Sequence, residues 1–283
     1  MEGAFTTLRL TSWSGYKKFV DELSENWVFR GQANSIWGLE NAIERTEFVH
    51  LQKGVESDFV SEFQRGARNY LTRDEIPEHL IEWLALMQHH GAPTRLLDFS
   101  KSPFIAAYFA FELCIHREDN FVAIWAMNMN FLKVKALAAL EELYPQELSQ
   151  NGHRIDEDLF KKIFYQNSSS LIFPVEPFRM NRRYSLQQSM FVSTGNSYEP
   201  FMKQLLFLGE QMSKAVIKIE MPVQLHNEVL RDLQKMNLNR ASLFPDLDGY
   251  AMSLKLRYNS LKSPQQQLSE QLQRMDADAR FIP

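Results

Sequence analysis

The residues best suited to chemistry lie in one short run, QHHGAPTRLLDFSKSPFIAAYFA, at positions 88–110. His90, Thr94, Arg95 and Asp98 bring together an imidazole that can carry a proton near neutrality, a hydroxyl, a guanidinium and a carboxylate. An almost unbroken apolar segment follows directly, as expected where a polar site is anchored on rigid backbone in a core. Arg95 and Asp98 stand close enough to pair, and simple mutual neutralisation is the plain alternative to a functional role.

Two further places carry candidate groups. Trp27, Val28 and Phe29 predict a short strand that ends in Arg30-Gly31-Gln32, delivering a charged side chain at a glycine turn. Arginine so placed suits a two-pronged contact with phosphate or carboxylate, and a rim salt bridge with a nearby acid suits it equally. In RRYSLQQSMFVS, residues 182–193, the alternation predicts a strand with Gln187, Ser189 and Phe191 on one face. An amide beside a buried ring needs hydrogen-bond partners, so Gln187 is either a structural clamp or a ligand contact.

The surrounding elements follow from periodicity and caps. Tyr16, Phe19, Val20 and Leu23 predict a first helix capped by Ser12 or Ser14. Helices are expected through Val55, Phe59 and Phe63, over Pro77–Gln88, over Phe131–Leu143 until Pro145 stops it, and around Leu159–Phe164. Ser102 followed by Pro103 starts a central helix, apolar on most faces from Phe104 to Ile115. Phe121–Met127 and Ala215–Met221 read as strands, Glu199–Leu208 as a short helix, and Pro222 opens another helix. The stretch 144–172 is polar enough to suggest an insertion or lid, and the glutamine-rich end from Ser263 suggests an exposed tail. One domain is expected over 1–260, with 261–283 as that tail.

Composition excludes several classes. The chain of 283 residues is 45% apolar and 23% charged with a net charge of -4, ordinary for a globular protein and poor for one that coats nucleic acid. Arg179, Arg182 and Arg183 form the one dense arginine cluster, preceded by His153, Arg154, Lys161 and Lys162. The single Cys114 precludes a disulfide framework, and no apolar run approaches a membrane span, so a cytoplasmic protein is the expectation. There is no Walker loop, HExxH, GxSxG or paired CxxC. Asp246 and Asp248 form a DxD, but Asp248 before Gly249 is more economically a turn or helix cap, and no metal is expected.

VFRGQ at 28–32, HGAPTRLLDFSKSPFIAAYFA at 90–110, NRRYSLQQSMF at 181–191 and LFPDLDG at 243–249 together resemble the FRG domain, over about residues 12–258. FRG domains look like distant relatives of the ADP-ribosyltransferases. The resemblance implies an α+β fold of split antiparallel sheets with surrounding helices and NAD, as substrate, in the cleft. It implies that Arg30, with Gly31 and Gln32, holds NAD, that His90, Thr94 and Arg95 belong to the same binding motif, and that Gln187 and Asp98 line the ribose. Transferases of the arginine class place a glutamate where this chain has Gln187, with Glu199 or Glu220 as conceivable substitutes. The expected function is an NAD-dependent ADP-ribosyltransferase acting as a toxin-type effector of a bacterial toxin-antitoxin or phage-defence system. RNA or protein would be the acceptor, an antitoxin protein a partner, and no membrane is involved. The alternatives are a catalytically silent nucleotide-binding module and an NAD glycohydrolase.

Overall fold

The computed structural model describes residues 5–46, 52–114, 120–152, 154–179 and 181–259, the side chains of 255–259 excepted. His153, Ile115 and the expected tail from residue 261 fall outside those residues. The strands are β1 (Thr6–Arg9), β2 (Trp27–Gln32), β3 (Leu96–Ser100), β4 (Phe121–Asn128), β5 (Ile172–Val175), β6 (Ser189–Thr194) and β7 (Val216–Pro222). The helices up to the central one are α1 (Trp13–Glu22), α2 (Val55–Ala67), α3 (Leu80–His89) and α4 (Pro103–Glu112). Then come α5 (Met129–Leu143), α6 (Pro145–Gln150), α7 (Glu157–Gln166), α8 (Arg182–Leu186), α9 (Phe201–Gln204), α10 (Met212–Ala215), α11 (His226–Lys235), α12 (Arg240–Leu243) and α13 (Leu247–Asn259).

The strands form a seven-stranded sheet in the order β1-β7-β4-β2-β3-β6-β5. Every pairing is antiparallel except that of β1 with β7. The fold is therefore α+β with helices around a mixed sheet. Its ladders are unequal: β2 matches β4 from Trp27 to Gln32, whereas β2 meets β3 at a single pair, Phe29 with Ser100. The split expected between two sheets is thus a narrow seam within one sheet.

Alternation sends neighbouring residues to opposite faces. Val192 and Ile172 join one core cluster with Trp125 and Met127, while Phe191 and Phe173 join another with Leu84, Phe160 and Phe164. β4 is buried along nearly its whole length, as its position inside the sheet requires. Pro174, which lacks an amide to donate, sits on the outermost strand β5, where a ladder bond is not needed.

Local signals place the helix ends. The Ser12 hydroxyl accepts from the Gly15 amide at 3.1 Å and the Ser102 hydroxyl from the Ile105 amide at 3.3 Å. Proline at 145 ends no chain of helix for long: α5 closes at Leu143 and Pro145 is the first residue of α6. The expected strand over 182–193 is half wrong. Asn181 accepts from the Tyr184 amide at 2.8 Å and starts α8, and Gln188 takes a φ of 48° before the strand begins at Ser189. A side-chain cap outweighed the alternation. Nor is 144–172 separate from the core: Leu148, Leu159, Phe160, Ile163, Phe164 and Leu171 are buried in it.

Residues up to Leu238 form one compact unit and those from Asn239 a second. In the second, α12 and α13 follow one another, and the Asp246 carboxylate accepts from the Gly249 amide at 2.6 Å. The cap of that turn is Asp246 rather than Asp248.

Arg95 and Asp98 are not partners. Arg95 is fully enclosed, and Glu56 of α2 takes its Nε at 2.8 Å, its Nη2 at 2.6 Å and its backbone amide at 2.9 Å. The guanidinium also lies 4.2 Å from the centre of the Phe164 ring. A buried charge pair stands only while both members are present. Arg95→Ala should therefore lose about 3–5 kcal/mol of stability, read from urea denaturation; a loss below about 1 kcal/mol would show that the pair is not enclosed in solution.

Candidate functional site

The seam between β2 and β3 is where the chemistry-bearing side chains gather. Just past the single Phe29–Ser100 pair the ladder stops, and the next residue of β2, Arg30, supplies a side-chain bond in its place. Its Nη1 donates to the Asp98 carbonyl oxygen at 2.8 Å and lies 2.9 Å from Asp98 Oδ1. The Arg30 Nε is buried without a hydrogen-bond partner among the described residues.

Asp98 is held from the opposite direction by a relay. The buried Thr94 hydroxyl donates to Gln88 Oε1 at 2.9 Å, and Gln88 Nε2 donates to Asp98 Oδ1 at 3.1 Å. With its oxygen occupied by Thr94, the amide of Gln88 can only present nitrogen to the carboxylate. The Asp98 side chain remains 47% exposed. Burial of its carboxyl raises the pKa, and the Arg30 guanidinium, hydrogen bonds and the charge of Arg183 more than offset it, so the group stays ionised below the usual carboxylate range.

The short helix α8 closes one side. Tyr184 donates to the Ala85 carbonyl at 2.5 Å, and its ring meets His89 edge-on with centroids 5.9 Å apart. Burial and the nearby Asp98 raise its phenol, with Arg183 opposing. His90 is exposed just past the end of α3, its ring 4.8 Å from that of His89. Arg183 and Asp98 interact electrostatically, whereas Arg179 turns to Glu78 at 2.8 Å. The arginine cluster of the sequence is therefore divided.

Gln187 lies at the end of α8, not on a strand. It is buried, and its carbonyl accepts from Ser100 Oγ at 2.7 Å. Ser100 stands two residues from Asp98 on the same face of β3, roughly 7 Å along the strand. The substitutes are elsewhere: Glu199 binds Ser170 and Lys203, and Glu220 binds Arg9 across β1 and β7.

Three members of the expected binding set serve the fold. A Cβ at Gly31 would lie 1.9 Å from the Ala106 carbonyl oxygen, so glycine here lets α4 pack directly on β2. The Gln32 amide is bound at both ends, donating to the Gly38 carbonyl at 2.8 Å and accepting from Trp125 Nε1 at 2.8 Å. Arg95, in its ion pair with Glu56, is likewise turned away from Asp98. Gln88, Arg183 and Tyr184 were not among the expected site residues. Gln88 had one readable signal, its place at the start of the His-His-Gly run.

Two adjoining clefts, of about 510 and 560 Å³, open beyond the other end of the Phe29–Ser100 pair. Val28, Phe29, Lys101 and Pro103 line the second, and neither is lined by Arg30, Asp98 or Gln187. The single crevice expected to hold both Arg30 and Gln187 is not one of these.

Because the folded pKa of Asp98 is lowered, its contribution to stability is complete above the unfolded value of about 3.9 and is lost as pH falls through the folded value. Wild-type protein should lose thermal stability below about pH 4 more steeply than Asp98→Asn. Parallel acid limbs in a melting series from neutrality downward would contradict the Arg30–Asp98 pairing.

Comparison with curated proteins and with solved structures found no match. The family model of the FRG domain matches residues 25–119. That span takes in Arg30, Gly31, the Gln88–Asp98 run and α4, and stops short of α8. The seam, its arginine and the carboxylate it binds therefore lie within the stretch that is similar to the FRG domain.

Proposed function

We propose that this protein binds NAD at the β2/β3 seam and transfers its ADP-ribose to an acceptor. The observation that carries the reading is Arg30: a guanidinium fixed by Asp98 with one buried donor still unfilled. Two arginines around one carboxylate leave the seam with an excess positive charge, which suits the pyrophosphate of a dinucleotide. In the reaction, the bond from ribose C1′ to the nicotinamide nitrogen breaks and nicotinamide leaves neutral with the electron pair. Positive charge develops on the ribose, facing the ionised Asp98, and the acceptor closes the new bond at C1′ as its proton passes to solvent. RNA or a protein serves as acceptor, and a toxin-type effector checked by an antitoxin is the setting in which such an activity fits.

A binding module without turnover is the second reading, and a specific observation favours it. Gln187 offers an amide at a helix end where a carboxylate would be needed, its backbone carbonyl accepting from Ser100, and Asp98 is already bound by Arg30 and Gln88. Hydrolysis of NAD with water as acceptor is the third outcome of the same test.

Calorimetry with NAD and release of nicotinamide separate these. Arg30→Ala, folded by circular dichroism, should bind NAD roughly 10–100-fold more weakly, and Arg30→Lys should not restore binding because the planar fork is lost. Asp98→Asn should slow nicotinamide release by about 10²–10³ while retaining binding. Wild-type NAD affinity in a folded Arg30→Ala would take that arginine out of the site. Binding without nicotinamide release would leave the silent module, and release without labelling of RNA or protein would leave the hydrolase.

A further inference from the structure

The first of the two clefts has a composition the seam does not share. Its floor is apolar, with Ile81 of α3, Leu137 of α5, Phe160 of α7 and Val175 of β5 converging from four elements. Its acids are already engaged within the chain. Asp156 accepts from the Leu159 amide at 2.9 Å as the cap of α7. Glu157 accepts from the Leu80 amide at 2.6 Å, holds Lys161 at 3.1 Å and faces His79 at 4.0 Å. Glu176 faces Lys101 at 3.6 Å.

Two cations on the lining have no such partner. Lys133 and Arg154 are exposed and make no ion pair among the described residues. Lys133 and Leu137 are one helical turn apart on α5, so a positive and an apolar group point into the cleft from one face. The adjoining cleft shares Asn26, Met129, Glu176 and Met190 with the first, so an apolar body has room to extend. A volume of about 510 Å³ is that of a small-molecule site.

We infer that this cleft binds a small amphipathic anion, its apolar body on Leu137, Phe160 and Val175 and its carboxylate, sulfonate or phosphate between Lys133 and Arg154. The inference is independent of NAD and of the seam. Complementarity of charge decides the head group, because the acids of the lining are held by the fold and the two cations are not. The body is apolar because a fully hydrated ligand would leave that floor without a partner.

The probe is anilinonaphthalene sulfonate, an aromatic anion whose fluorescence reports burial, titrated into the full chain. One site is expected, with affinity falling as salt rises. The double variant Lys133→Glu, Arg154→Glu should bind at least about tenfold more weakly; both residues are exposed, so its melting temperature should match wild type. Leu137→Gln, which makes the floor polar without adding charge, provides a second variant and should also reduce binding. Displacement by dodecanoate would identify an aliphatic ligand and by naphthoate an aromatic one. Undiminished binding by the folded charge-reversed variant, equal affinity for the neutral phenylnaphthylamine, no binding, or displacement by neither acid would each overturn the inference.

Discussion

The contact on which the arrangement depends is the one between the Arg30 guanidinium and Asp98. A sheet normally continues by backbone ladder bonds, and between β2 and β3 that ladder is reduced to Phe29 with Ser100. Without Arg30 the Asp98 carbonyl would stand at an open seam with no side-chain donor opposite it. The same guanidinium holds the Asp98 carboxylate, so one side chain both spans the gap and sets the charge beside it. An arginine with this double duty accounts for the pairing of aromatic, arginine and glycine in sequence. The arginine spans the seam, and the glycine that follows gives α4 access to the other face of the strand.

Charge placement divides the polar residues of the central motif into two groups. Arg95 points into the core and is neutralised by Glu56, where desolvation makes an unpaired charge untenable. Asp98, three residues later, points to the seam and keeps half of its surface. Thr94 joins the two regions, since its hydroxyl orients Gln88 while the neighbouring residue anchors β3 to α2. Cys114, near the end of the apolar helix, is inert by the same logic: burial pushes its thiol up to about 11.

The elements were legible where a cap and a period agreed. Ser102-Pro103 announced α4, and Ser12 announced α1, because a hydroxyl cap and a missing amide act locally and need no tertiary partner. In Arg182–Ser193 the alternation is real only from Ser189, and the Asn181 cap converts the first half to helix. β1 has too few apolar residues to stand out, and it stays mostly exposed, placed by its ladder with β7 rather than by a pattern of its own. At the site, Arg30 and Asp98 were readable as types but not as partners, since 68 residues separate them and the register of β2 on β3 is invisible in either strand. Arg95 looked functional for the same reason: its partner Glu56 lies in a helix 39 residues upstream.

The path of the chain at α4 sets a mechanical limit on the seam. α4 rests backbone to backbone against β2 at Gly31, yet it is joined covalently to β3 through Lys101 and Ser102 alone. The two banks of the gap are therefore tethered by a link of two residues, whose three Cα steps from Ser100 to Pro103 span at most about 11 Å when straight. How far β2 and β3 can part is therefore limited by the covalent path itself and by the packing at Gly31, not only by the bonds across the gap.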